Sequence, residues 1–380
     1  MPGHTYLDHA ATTPMRPEAV AAMLPYLSEQ FANPSGSHRF AREARKVVDD
    51  AREVIANVLG CAPGEVVFTG SGTEADNTAV RGTLARRPGT VAVCPAAEHH
   101  AVLECVHLTH GVVVATTTTG AVDLAALVPA LDEAGETVGV VSVMTVNNEV
   151  GTVNDIAAVA ATVRARAPHA VLHTDAVQAA SWLDLRAITP HVDLLALSAH
   201  KFGGPKGVGV LVVRDGVRFE PLLVGGGQER ERRSGTHNVA GIVAMAEALR
   251  LTDIERAGQL PRIGALRDAL VDGIVAALPD VRETVPRAAK VAGSAHLCIE
   301  GIENEALLFL LDEAAVCASA ASACAAGAME PSHVLAAMGV PRSLAGGALR
   351  LTLGFTSTEA DVARGIDVVV QSVRRLRRAS

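Results

Sequence analysis

The chain has few aromatic residues and no long apolar segment. Phe, Trp and Tyr make up 3% of its 380 residues, so aliphatic side chains must fill most of the core. No apolar run approaches the ~20 residues that a membrane-spanning helix requires. The opening segment, which contains Asp8 and His9, lacks the apolar stretch of a signal peptide. We therefore expect a soluble, cytoplasmic protein with no membrane partner.

Closely spaced cysteines and an excess of positive charge are also missing. The six cysteines include no Cys-x-x-Cys pair, and the closest two, Cys317 and Cys324, are seven positions apart. We expect reduced thiols and no metal site. The formal net charge of −8 argues against nucleic acid as a direct partner.

Short apolar runs alternate with helical patterns through the first half of the chain. The predicted strands are 66–69, 91–94, 112–116, 138–143, 171–173, 194–197 and 208–213, and helices are predicted between them, for example at 73–84, 124–133 and 156–166. Nearly continuous apolar strands that alternate with helices are typical of a mainly parallel sheet covered on both faces. The sequence therefore predicts an α/β fold with a mainly parallel seven-stranded sheet flanked by helices.

The remaining sequence predicts a smaller α+β domain. A long helix is predicted before the strands of the sheet, at 40–59, and another after them, at 239–278. The last part of the chain, which has the pattern of the smaller domain, mixes short strands (295–299 and 349–353) with helices (303–311 and 358–376). A chain of this length usually forms more than one core. We assign residues 15–250 to a large domain, and residues 1–14 and 251–380 to a small one.

Polar residues follow two of the predicted strands. Lys201 follows the strand 194–197, and a partly desolvated lysine at a strand end can act as a nucleophile that forms a Schiff base. Asp175 ends the strand that begins at position 171, where a carboxylate can keep a pyridine nitrogen protonated, and Gln178 follows three residues later. The alternatives are a surface lysine and an aspartate that only caps a helix.

Two further motifs favour an aromatic, phosphorylated cofactor. Ser71 and Glu74 have the spacing of a capping box at a helix start, where free N–H groups bind anions, and Thr73 adds a hydroxyl. The segment is neither a Gly-x-Gly-x-x-Gly motif nor a P-loop. His99, just past another strand, can stack on an aromatic ring and move protons. An ordinary capped helix and a histidine without a catalytic role remain alternatives.

Taken together, these motifs resemble the cysteine desulfurases of the NifS/IscS type, which belong to the class V aminotransferase superfamily and have the fold of type I pyridoxal-phosphate enzymes. The resemblance covers nearly the whole chain. It includes positions 6–14, 33–35, 69–77, 98–100, 147–151, 171–178, 198–206, 233–236, 322–324, 330–333 and 349–350.

The resemblance implies a homodimeric enzyme that uses pyridoxal 5'-phosphate to convert L-cysteine into L-alanine and passes the sulfur to an acceptor protein. Lys201 would bind the cofactor covalently, His99 would stack on its ring and shuttle protons, and Cys324 would take the sulfur as a persulfide. The other implied cofactor contacts are Gly72, Thr73, Asn148, Asp175, Gln178, Ser198, His200 and Thr236, the last reaching the phosphate of the partner subunit. Asn148 and Arg350 would bind the substrate carboxylate.

The resemblance leaves some questions open. The acceptor can belong to iron–sulfur assembly, tRNA thiolation or DNA phosphorothioation. Ala320 and Ala321 replace the Ser-Gly pair that usually precedes Ser-Ala-Cys in the family, so we expect the segment before Cys324 to be stiffer. A selenocysteine lyase or another class V enzyme would not need Cys324, and a non-catalytic subunit of a sulfur-relay complex is a further alternative.

Overall fold

The computed structural model describes residues 3–320 and 332–379, so that Cys324 lies outside the described residues. The strands are β1 (Thr5–Tyr6), β2 (Val66–Thr69), β3 (Val91–Pro95), β4 (Val112–Val114), β5 (Val138–Ser142), β6 (Val171–Asp175), β7 (Leu194–Ser198), β8 (Gly209–Val213), β9 (Arg282–Glu283), β10 (Ser294–Cys298), β11 (Val316–Cys317) and β12 (Ala348–Thr352). The helices are α1 (Pro17–Met23), α2 (Pro25–Ser28), α3 (Arg39–Leu59), α4 (Gly72–Asn77), α5 (Thr83–Arg86), α6 (His100–Leu108), α7 (Leu124–Ala134), α8 (Ile156–Arg166), α9 (Val239–Ala277), α10 (Asn304–Glu313), α11 (His333–Ala337), α12 (Arg342–Ala345) and α13 (Glu359–Ala379).

A seven-stranded sheet in the order β2-β8-β7-β6-β5-β3-β4 forms the centre of the fold. β8 runs antiparallel to both of its neighbours, and the other pairings are parallel. Every residue of β5, β6, β7 and β8 is buried, as expected for strands covered on both faces. The seven predicted strands all lie in this sheet, and the predicted fold class is confirmed.

The adjacent strands β6 and β7 place polar residues side by side at one edge of the sheet. Asp175 at the end of β6 pairs in register with Ala196, two residues before Ser198 ends β7. Because parallel strands present their carboxyl ends at the same edge, the turns that follow them lie together. The chain leaves β7 in a 3-10 turn, Ala199–Lys201, which brings Lys201 to this edge as well.

The helix predicted at 73–84 is instead three consecutive helical segments. α4 is followed by one π-helical turn, Thr78–Gly82, and then by α5. The Thr78 hydroxyl donates a hydrogen bond to the carbonyl of Glu74, 2.7 Å away, which loosens the ordinary backbone ladder at this point. The whole predicted stretch is helical, but apolar periodicity does not show such local competition, so the π-helical turn was not predicted.

Two smaller sheets and a second core complete the structure. β12, β10 and β9 form an antiparallel sheet, and β1 pairs with β11 in parallel. The helix α9 contributes Leu249 to the core around the large sheet and Leu270 to a core that contains residues of β10 and β12. The predicted domain boundary at 250 lies inside α9, and the division of the chain stays a prediction. Within the described residues, no helix combines the length and hydrophobicity needed to cross a bilayer.

Candidate active site

A cleft of about 390 Å³ opens at the carboxyl ends of β6 and β7. It brings together most of the residues predicted to bind cofactor or substrate. These are Gly72, Thr73, His99, Asn148, Asp175, Gln178, Ser198, His200, Lys201 and Arg350. Thr236 is exposed and is not part of this lining. Cys324 lies outside the described residues, so its predicted place beside the cleft stays a prediction.

The start of α4 forms one end of the cleft. Ser71 caps the helix and its hydroxyl accepts a hydrogen bond from the N–H of Glu74, 3.1 Å away. The first N–H groups of a helix have no intrahelical acceptor and can bind an anion. A Cβ atom on Gly72 would lie 2.7 Å from Cγ2 of Val177, so only glycine permits this close approach between α4 and the turn after β6.

The predicted capping box is only half formed. The Glu74 carboxylate accepts a hydrogen bond from the N–H of Gly70 at 2.7 Å, one residue before the expected partner. It also pairs with Arg233 at 2.8 Å. The ion pair attaches the segment around Arg233 to the helix that carries the anion-binding turn.

Lys201 points towards the N-terminal segment of the chain. Its Nζ atom donates hydrogen bonds to the carbonyls of Ala10 at 2.5 Å and Ala11 at 2.8 Å. Gln178 donates to the same Ala10 carbonyl at 2.8 Å. Burial, together with Lys201 and Lys206, lowers the pKa of His200 to about 4. His200 is therefore neutral at pH 7 and can serve as a hydrogen-bonding group.

Asp175 is buried and lines the cleft, and it also caps the turn that follows β6. Its Oδ1 atom accepts a hydrogen bond from the N–H of Val177 at 2.8 Å. The capping role and the cleft position are therefore compatible rather than exclusive. Burial raises the pKa of Asp175, while His99, the Val177 N–H and Lys201 oppose that shift. A buried carboxylate of this kind is stabilised in its charged form by a nearby cation.

His99 precedes α6 and caps it through its ring. Nδ1 accepts a hydrogen bond from the N–H of Ala101 at 3.1 Å, so the neutral ring carries its proton on Nε2. Burial is the main cause of a lowered pKa for His99, which favours the neutral form. One ring nitrogen lies within 4.8 Å of carboxylate oxygens of Asp76 and Asp175. Asp76 was not identified from the sequence, where it is one acidic residue among several in a helix.

Arg350 provides a buried cation in the lining of the cleft. It lies in the middle of β12 and donates hydrogen bonds to the carbonyl of Asn148 at 2.9 Å and to Oδ1 of Asp8 at 2.8 Å. A guanidinium group suits the recognition of a carboxylate, which it can bind with two parallel hydrogen bonds. Asp8 was not predicted as part of the site, although it lies in one of the motifs that carry the resemblance.

Known proteins share both the sequence and the architecture. Residues 5–364 match the family described as Aminotransferase class-V. The chain belongs to the class-V aminotransferase family. An IscS-like cysteine desulfurase of Mycobacterium tuberculosis (strain ATCC 25618 / H37Rv) is 43% identical over 387 residues, which cover 99% of this chain and 98% of the relative. Within the family, the chain therefore groups with cysteine desulfurases.

Two solved structures support this grouping. A NifS-like protein superposes with a TM-score of 0.90 at 31% identity, covering 98% of this chain and 100% of the other. A structure described as SspA in complex with cysteine superposes with a TM-score of 0.79 at 29% identity, covering 92% and 98%. The resemblance seen in the motifs is thus confirmed at the level of the family and of the fold.

In this member of the class-V aminotransferase family, Ser319 and Ser332 lie close in sequence to the two ends of the segment 321–331, which contains Cys324. Ser319 exchanges backbone hydrogen bonds with Arg350 at 3.2 and 2.7 Å. The Ser332 hydroxyl donates a short hydrogen bond to the carboxylate of Glu149, the neighbour of Asn148. Ser319 is thus bonded to Arg350, and Ser332 is bonded to the neighbour of Asn148, so both serines connect to the predicted substrate-binding residues. The expected stiffness before Cys324 stays a prediction, since positions 321–323 lie outside the described residues.

His237, next to Thr236, takes part in a network around the buried Glu229. Its Nε2 atom lies 2.7 Å from a Glu229 carboxylate oxygen, and Arg52 holds both oxygens of the same carboxylate at 2.6 and 2.8 Å. Burial alone raises the pKa of Glu229, but hydrogen bonds from Arg52 and His237 outweigh it and lower the pKa to about 2. The exposed Thr236 is adjacent to this network, and its predicted phosphate contact stays a prediction.

Proposed function

We propose that the chain is a pyridoxal-phosphate-dependent cysteine desulfurase that converts L-cysteine into L-alanine. The observation that carries the proposal is the meeting of Lys201 and Asp175 in one cleft that the buried cation of Arg350 also lines. The names of the relatives support the choice of cysteine as the substrate.

The side chains in the cleft fit the chemical groups of this cofactor. The first turn of α4, with Ser198 and His200 nearby, offers hydrogen bonds to a phosphate. Lys201 supplies an amine for the aldehyde, and Asp175 supplies a buried carboxylate for a protonated ring nitrogen. When bound, the cofactor withdraws electrons from the substrate carbon next to the amine, so that the proton on that carbon becomes removable.

The residues of the chain position the substrate and move its protons. Arg350 and Asn148 hold the carboxylate, which leaves the sulfur of the substrate free to react with Cys324. Lys201 takes the proton from the α-carbon at Nζ. The neutral His99, whose Nδ1 accepts a hydrogen bond from Ala101, offers a hydrogen bond from Nε2 and would help to orient the cofactor when it is bound.

Sulfur transfer requires Cys324 as a thiolate. Its sulfur attacks the sulfur of the substrate, a new S–S bond forms, and the carbon–sulfur bond breaks. The β-carbon takes up a proton and the α-carbon regains the proton held at Nζ of Lys201, so that one cysteine yields one alanine and one persulfide on Cys324. A sulfur-acceptor protein then receives the outer sulfur atom.

The active unit is a homodimer in this proposal. Thr236 is exposed in its own chain and belongs to the segment that the Arg233–Glu74 ion pair attaches to α4. It contributes to the phosphate site of the partner subunit. Mixing Lys201→Ala and Thr236→Ala subunits tests this, because a mixed dimer contains one site with both an intact Lys201 and an intact Thr236. Turnover that is restored in the mixture supports a shared site, and a mixture without restored turnover argues against it.

Borohydride reduction followed by peptide mapping tests the cofactor assignment. The expected result is a stable adduct on Lys201, which is missing in Lys201→Ala. An adduct on another lysine, or on none, would overturn the proposal.

The sulfur acceptor is tested by comparing Cys324→Ser with Cys317→Ser. Cys324→Ser is expected to bind the cofactor normally. It should form no persulfide at position 324 and should produce alanine more slowly than the parent protein. Cys317→Ser is the matched control, since Cys317 is a half-buried cysteine on β11 in the same part of the sequence. Unchanged alanine production by Cys324→Ser would favour another class V activity.

A further inference from the structure

A second carboxyl group lies beside Asp175 at the inner end of the cleft. Asp76, near the end of α4, is 1% exposed and lines the cleft. One of its oxygens lies within 4.8 Å of an oxygen of Asp175 and of a ring nitrogen of His99. The proposed reaction assigns no task to Asp76.

Asp76 faces a histidine that is completely buried. Oδ1 of Asp76 lies 3.5 Å from Nε2 of His173, which belongs to β6. Neither atom has a hydrogen-bond partner among the residues that the structure describes. The other ring nitrogen, Nδ1, lies 2.8 Å from the hydroxyl of Ser142. A proton placed between Oδ1 and Nε2 would satisfy both buried atoms.

The charges around this pair favour a proton on the carboxyl group. Glu98 is a third buried carboxyl group, and one of its oxygens lacks a partner among the described residues. Burial, followed by the neighbouring carboxylates, raises the pKa values of Asp76 and Glu98, whereas burial lowers the pKa of His173 to about 3. Three buried negative charges cannot persist beside the few cations there. Asp175 is the best placed to keep one, because the charge of Lys201 and the hydrogen bond from the N–H of Val177 both favour its ionised form.

We propose that Asp76 is a positioning residue: as a protonated acid, it donates a hydrogen bond to Nε2 of His173 and leaves the negative charge of the cluster on Asp175. His173 is then held as the neutral tautomer with its proton on Nδ1, from which it donates to Ser142. The role rests on the proposed function, because Asp175 is the carboxylate assigned to the ring nitrogen of the cofactor.

The protonation of His173 can be measured without the cofactor. Nitrogen-15 NMR of histidine-labelled apoprotein at neutral pH is expected to show His173 with its proton on Nδ1, and His173→Gln identifies the signal. A proton on Nε2 would mean that Asp76 is ionised and accepts the hydrogen bond, and a doubly protonated ring would mean an ion pair. Either result would overturn the proposal, whatever the outcome of borohydride labelling at Lys201.

The holoenzyme gives the second test. Asp76→Ala removes the donor and is expected to lower kcat/KM by about tenfold, whereas Asp76→Asn retains an N–H donor and returns it to within about threefold of the parent. Asp175→Asn serves for comparison: it is expected to lower kcat/KM further than Asp76→Ala does and to shift the visible absorbance of the bound cofactor. If Asp76→Asn were as impaired as Asp76→Ala and showed the absorbance shift of Asp175→Asn, Asp76 would act through its charge and the proposal would fail.

Discussion

Gly72 occupies a position where the backbone of α4 approaches two other elements. An added Cβ would lie 2.7 Å from Val177 Cγ2 and 3.3 Å from Cβ of Ser198. The first contact is far shorter than van der Waals distance and the second is tight, so α4 or the turn that carries Val177 would have to move. The absence of a side chain here therefore has a structural cause at the cleft itself.

We expect Gly72→Ala to lower cofactor affinity by about tenfold or more and stability by about 1–3 kcal/mol, because the overpacked helix start shifts. Cofactor titration and denaturant unfolding measure the two effects. Gly258→Ala in α9 is the control, since no heavy atom of the described residues lies within 4 Å of its added Cβ. Equal behaviour of the two variants would contradict the role of close packing at Gly72.

Arg350 holds Asp8 and Asn148 with two different nitrogen atoms of one planar group. A lysine cannot reproduce this geometry. We expect Arg350→Lys to lower kcat/KM for L-cysteine by about 10- to 100-fold, chiefly through KM, as the loss of a charge-assisted hydrogen bond implies. Steady-state kinetics check this, with the exposed Arg374→Lys as the control. An unchanged KM would remove Arg350 from the substrate site.

At the scale of elements, the Arg52–Glu229 pair joins α3 to the segment before Thr236. The two side chains are 8% and 2% exposed, so the pair is buried. Glu229 also accepts a hydrogen bond from the N–H of Phe68 in β2. One carboxylate thereby connects a helix, the central sheet and a loop.

We expect Arg52→Met to destabilise the protein by about 3–5 kcal/mol, because Glu229 would lose the arginine that balances its buried charge and keep only its contacts with His237 and the N–H of Phe68. The double variant Arg52→Met/Glu229→Leu should recover most of this loss, since no charge remains to be buried. Denaturant unfolding of the two variants makes the comparison. A double variant as unstable as the single one would show that packing, and not the unpaired charge, causes the loss.

At the scale of the whole molecule, three buried histidines make stability depend on pH. Burial lowers the pKa of His173 and His296 to about 3 and that of His9 to about 4. The unfolded chain binds protons at these histidines below about pH 6.5, whereas the folded chain does not until pH 3–4. Their contribution to stability is therefore complete above pH 6.5 and is lost as the pH falls below it.

We expect these three histidines to lower the free energy of unfolding of the apoprotein by about 4 kcal/mol between pH 7.5 and 5.5, since each contributes about 1.4 kcal/mol. The raised pKa values of Asp76 and Glu98 act in the opposite direction. Urea unfolding at several pH values measures the slope. His173→Gln should reduce the fall by about one third. A pH dependence that is the same in this variant would exclude His173 as a source.

Much of the architecture could be predicted from the sequence because burial leaves a clear pattern. The strands of the central sheet are covered on both faces, and their unbroken valine and leucine runs show this directly. Lys201 could be identified because it follows such a run and Asp175 because it ends the neighbouring strand, and parallel strands bring their ends together. The resemblance then supplied residues, such as Arg350, for which no local pattern exists.

The apolar pattern of the chain by itself determined the sheet, the long helices and the edge at which the cleft lies. Only the tertiary structure decided which side chains meet: Arg350 with Asp8 across 342 positions, Glu229 with Arg52 across 177, and Asp76 with His173. Secondary structure follows from neighbours along the chain, whose spacing is visible in the sequence. Contacts between distant residues depend on how whole elements pack, and a one-dimensional pattern does not contain that information.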